Sequence, residues 1–170
     1  MKDLLMIAFL MFCIFSVSAQ ETEKKSKKEL KAEKEAKQIE ETKALVESKM
    51  FVFDARTVNP MKGSTRTLTS EYDVRITKDS IYSYLPYFGV AYSASYGGTD
   101  SPMIFDKPFD TCTLEKTKKG YTIEVDVKNG NDRVDFSFHI SESGATTLSV
   151  SSTNRQAISY YGEIVKEKKK

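Results

Sequence analysis

Tyr121–Ile140, YTIEVDVKNGNDRVDFSFHI, is the stretch that decides the fold. Ile123, Val125 and Val127 alternate with Glu124 and Asp126, and Val134, Phe136, Phe138 and Ile140 alternate with Asp135, Ser137 and His139. A period of two puts the apolar side chains on one face of a strand and the polar ones on the other. Between the two runs stands Asn129-Gly130. Both residues tolerate positive φ, so the pair predicts a type I′ turn and an antiparallel hairpin. Ser143-Gly144 closes a second hairpin into Thr146–Ser151, and Asn154–Gln156 turns the chain into Ile158–Val165.

The same texture extends back to Phe51. Short β-branched and aromatic runs at 51–56, 68–76, 81–84, 90–96, 103–105 and 111–116 are separated by Asn59-Pro60, Lys62-Gly63, Thr77–Ser80, Leu85–Gly89, Gly97-Gly98 and Pro108. Turn signals this frequent predict an all-β, single antiparallel domain of about nine to ten strands. It is either barrel-like (lipocalin-like) or a two-sheet sandwich, and periodicity does not separate the two. Fully membrane-spanning strands with aromatic girdles are not visible.

Residues 20–50 differ sharply. They are rich in Glu, Lys and Ala without Gly or Pro, which predicts a charged helical or disordered spacer. Apolar a and d positions sustained over heptads, as a coiled coil needs, are absent. Ile39, Val46 and Met50 fall on one side and are expected to dock the last turn or two. The β domain then occupies 51–165, and 166–170 is a charged tail.

Residues 1–19 read as a cleavable signal peptide. Leu4–Val17 is almost wholly apolar and ends in Val17-Ser18-Ala19, so cleavage is expected after Ala19. The apolar run is shorter than a bilayer-spanning helix requires, and no stable span is expected after cleavage. A lipoprotein anchored through Cys13 is disfavoured, because the bulky Phe12 precedes it. The expected destination is the periplasm or the exterior. What remains is long enough for one ordinary core. Cys112 is then the single cysteine, so the fold must hold without an internal disulfide.

Lys and Arg number 26 against 24 Asp and Glu, mixed along the chain, which does not favour nucleic acid as a partner. There is no phosphate loop, nucleophile elbow or metal-ligand spacing, so neither a cofactor nor a catalytic residue is expected. His139, the one histidine, shares the polar face of its strand. The densest unusual segment is SIYSYLPYFGVAYSASYGG, Ser80–Gly98. Tyrosines combine an apolar face with a polar tip, which suits binding surfaces, although aromatics at period two also pack sheets. Tyr84, Tyr87, Phe88, Tyr92 and Tyr96 are the candidate ligand or partner surface. Tyr87 and Phe88 lead because they sit in the bend.

Tyr84–Tyr92 (YLPYFGVAY), with Tyr72–Ile76 (YDVRI), Leu148–Val150 and Arg155–Gly162 (RQAISYYG), resembles the DUF4251 family of exported Bacteroidota proteins. The resemblance runs from about Phe51 to Ile164. It implies a β-rich exported domain and brings no catalytic or binding residues with it. Val90 stands where the family commonly has Arg. The expected function is non-enzymatic binding of a small amphipathic ligand or glycan in a β cavity or groove. The alternative is a structural or protein-interaction module of the envelope, with a hydrolase as the weakest alternative.

Overall fold

The computed structural model describes residues 27–92 and 103–167. The signal peptide and Tyr96 lie outside them. The chain divides into two compact units, Met1–Glu33 and Lys34–Lys170, and the sheet with its candidate sites belongs to the second.

Among the described residues, helix α1 (Lys27–Ser48) is followed by nine strands: β1 (Phe51–Pro60), β2 (Arg66–Ile76), β3 (Ser80–Tyr84), β4 (Ile104–Pro108), β5 (Thr111–Thr117), β6 (Gly120–Asn129), β7 (Asp132–Ser141), β8 (Ala145–Ser152) and β9 (Arg155–Val165). All pair antiparallel in a single sheet ordered β4-β3-β2-β1-β9-β8-β7-β6-β5. The barrel-like expectation therefore holds over the two-sheet sandwich: the sheet is one curled half-barrel. Its edges, β4 and β5, are joined by only Phe109-Asp110, and Phe105 of β4 meets Phe136 of β7 edge-on, 6.0 Å between ring centres.

The concave face carries the core. Phe51, Phe53, Phe136, Phe138 and Tyr160 are fully buried there. Phe51 and Phe53 both present edges to Phe138, at 5.6 and 6.0 Å, the T-shaped geometry that aromatic quadrupoles favour. Each such side chain contributes roughly 2–3 kcal/mol of burial free energy. In β1 the alternation Phe51, Phe53, Ala55 slips phase at Arg56 and resumes with Val58, where the register shifts against both β2 and β9. One extra residue turns Arg56 outward and keeps Val58 in the core.

Three local expectations need correction. The β6–β7 turn has Gly130-Asn131 at its centre, since Asn129 pairs with Asp132. Gly130 has φ 65° and Asn131 is not in the positive region. That is the pattern of a II′ turn, with glycine first, instead of I′ on Asn129-Gly130. Through Tyr92, the strand expected at 90–96 yields only an isolated bridge, Ala91 to Arg155. Of the three residues expected to dock, Val46 is buried, but Ile39 on α1 and Met50, two residues past its end, are 43% and 51% exposed, and Thr42 is buried in their place. The docked face follows Thr42 because its hydroxyl lies against Gly144 and Gln38 Nε2 donates to the Ser143 carbonyl at 2.7 Å. Lys49 ends the helix with φ 52°. Its Nζ donates to the Cys112 carbonyl at 2.9 Å, covering part of the otherwise unpaired edge of β5.

Candidate functional sites

The aromatic bend is a strap laid over the start of β9. Leu85 is buried and its N–H donates to the Met103 carbonyl at 3.3 Å. Tyr160 Oη, from inside the sheet, donates to the Pro86 carbonyl at 2.8 Å. Tyr87 Oη lies 3.0 Å from the Gln156 carbonyl and 3.2 Å from that of Val90, and donates its proton between them. The strap is completed by Gln156 N–H to Val90 O at 3.1 Å and Tyr92 N–H to Asn154 O at 2.8 Å. Burial pushes the Tyr87 phenol up from its ordinary range, against the opposing pull of Arg155. Burial raises Tyr160 much further.

The structure divides the sequence-predicted residues by role. Tyr87 is half-buried and spends its hydroxyl on the backbone. Tyr84 stacks on Tyr72, with ring centres 5.6 Å apart. Phe88, 36% exposed, lies under the Arg66 guanidinium at 4.8 Å. Tyr92 is 68% exposed. Tyr84, Phe88 and Tyr92 thus offer aromatic surface, and Tyr87 holds the segment that carries Phe88 and Tyr92.

Gly89 stands at a close approach, and its φ is not positive. A Cβ there would lie 2.4 Å from Tyr87 Oη.

Beside the strap sits a polar cluster that sequence reading missed. Asp132 is buried; it accepts from Ser152 Oγ at 2.8 Å and from Asn154 N–H at 3.3 Å, and forms an ion pair with Arg155. The sign was its phase, because Asp132 shares parity with Val134, Phe136 and Phe138. A carboxylate on an inward face needs a buried partner. Among the described residues, no three His, Cys, Asp or Glu side chains gather as a metal site requires.

A groove lies elsewhere in the same unit. It has a volume of about 820 Å³ and runs between α1 and the sheet end formed by Ser143 of the β7–β8 turn and the last residues of β9. Thr42, Leu45 and Ile164, buried or half-buried, form its apolar side, and Lys34, Lys37 and Lys166 line it as well. That volume is within the range of small-ligand sites, roughly 300–1,000 Å³.

Comparison with known proteins agrees with this architecture. A crystal structure of a DUF4251 family protein from Bacteroides eggerthii superposes with a TM-score of 0.59 at 15% identity, covering 79% of this chain and 91% of that one. No curated protein matches. The family described as a domain of unknown function, DUF4251, matches residues 33–164, a span that begins inside α1 and so takes in its docked half together with the whole sheet up to Ile164. With most of its length so matched, this chain belongs to the DUF4251 family.

Proposed function

We propose that this domain is an exported, non-enzymatic binding module that receives a small amphipathic ligand in the groove between α1, the β7–β8 turn and the end of β9. One observation carries the reading: the core is packed with aromatic side chains, while a groove of about 820 Å³ with an apolar side and charged side chains remains open outside it. A ligand then lies against the outer end of the sheet instead of inside the curl. Export is supported by the apolar run Leu4–Val17 and its small-residue end. Among the described residues, no helix is long and apolar enough to cross a membrane.

Native mass spectrometry of the full chain purified from its own envelope tests the reading. We expect a co-purifying mass that is lost in Ala44→Trp, which fills the groove from an exposed helix position. A bare chain mass, or an adduct untouched by that substitution, contradicts it.

A second reading is a protein- or glycan-interaction module acting through the strap. It is favoured by the exposed rings of Tyr84, Phe88 and Tyr92 together with exposed Val90. Loss of a specific envelope partner in Phe88→Ser with Tyr92→Ser, at unchanged stability, would favour this reading.

A further inference from the structure

Charge along the groove is unevenly matched. Of the two acids that line it, Glu41 is 3.9 Å from Lys37 and Glu163 is held by Arg56 at 2.6 Å. Lys34 and Lys166 line the same groove and have no ion-pair partner among the described residues. An ammonium without a counter-ion beside an apolar wall attracts an anion, and the low-dielectric wall strengthens that attraction. Lysine stems also lie readily along apolar surface while keeping the charge at the rim. Leu45 and Ile164 supply such a surface in the same groove, Leu45 about three helical turns along α1 from Lys34.

Resting on the groove reading above, we infer that the ligand is a free single-chain amphiphile with an anionic head, for which decanoate serves as the probe. Its head lies between Lys34 and Lys166, and its chain runs along Leu45 and Ile164. A groove of this size holds one small molecule and is not a broad surface for a bilayer. The lysines act as point charges, which demand negative charge without demanding a planar, two-pronged partner.

Isothermal titration of the full chain with monomeric decanoate, decanol and decyltrimethylammonium tests this, with lipid vesicles as a further arm. Decanoate should bind about tenfold more tightly than decanol, a difference of about 1.4 kcal/mol. The preference should weaken at high salt and disappear in Lys34→Glu with Lys166→Glu. Both lysines are exposed, so an unchanged melting temperature confirms that the double variant is folded. Equal binding of decanoate and decanol overturns the anionic class while leaving the groove reading intact. Failure of every amphiphile to bind overturns both. A preference that survives the double variant overturns the placement of the head, and binding to anionic vesicles without binding to monomer overturns the free ligand.

Discussion

Tyr160 Oη donates a 2.8 Å hydrogen bond to the carbonyl of Pro86, joining the fully buried centre of β9 to the strap that crosses its start. The contact links the RQAISYYG and YLPYFGVAY segments, two of the blocks on which the family resemblance was recognised. Tyr160→Phe keeps the ring and leaves that carbonyl without its donor. The expected cost is about 1–2 kcal/mol, or a fall in melting temperature of roughly 3–10 °C for a domain of this size. Differential scanning calorimetry measures it.

Tyr160 also makes stability depend on alkaline pH. Burial raises its folded pKa above the unfolded value of about 10. The native state then keeps a proton that the unfolded chain releases. The contribution is complete below the unfolded pKa and is lost as pH rises through the folded one. Tyrosinate absorbance should therefore show a group of tyrosines that ionise only as circular dichroism reports unfolding. Tyr160→Phe should flatten the alkaline fall in stability. Ionisation of every tyrosine in a folded protein would contradict this.

Asp132 and Arg155 should behave as a buried pair. Arg155→Met leaves Asp132 buried without its cation and should cost about 3–5 kcal/mol in urea denaturation. Adding Asp132→Leu should recover part of that loss, because the uncompensated charge disappears.

Two glycines should respond differently to alanine. At Gly162 a Cβ would fall 1.9 Å from the Asp54 carbonyl oxygen, a backbone atom of the neighbouring strand. Gly162→Ala should disrupt β1–β9 pairing and abolish cooperative thermal unfolding. At Gly89 the obstacle is the movable ring of Tyr87. Gly89→Ala should lower the melting temperature modestly and leave the sheet intact.

Cys112 should be a slow thiol. It is half-buried on β5, and burial raises its pKa even though Lys49 opposes the shift. Its reaction with a disulfide reagent at pH 8 should be much slower in the native protein than in the same protein unfolded in guanidinium. Equal rates would place Cys112 in solvent.

Much of the fold was legible because it is written with period two. Val134, Phe136, Phe138 and Ile140 face the core as their alternation requires, and His139 faces solvent. The curl was not legible, since closure depends on how β4 and β5 approach, which no local pattern encodes. The helix misled for a similar reason: Ile39 is the more apolar residue, but contact with the 141–144 turn selects the face of Thr42. At the candidate sites, composition drew attention to the tyrosines and could not tell Tyr87, a tie to backbone carbonyls, from exposed Tyr92. The groove was invisible, because α1, the β7–β8 turn and the end of β9 build it from segments far apart in the sequence.

The central claim is that a ligand sits outside the packed sheet, in the groove against α1. The most direct test is a ¹H–¹⁵N NMR titration of the full chain with monomeric decanoate. Saturable shifts are expected at Thr42, Leu45, Ser143 and Ile164, with Phe53 and Phe138 nearly unmoved. Shifts centred on Phe53 and Phe138, on the strap at Phe88 and Tyr92, or nowhere at all would contradict it.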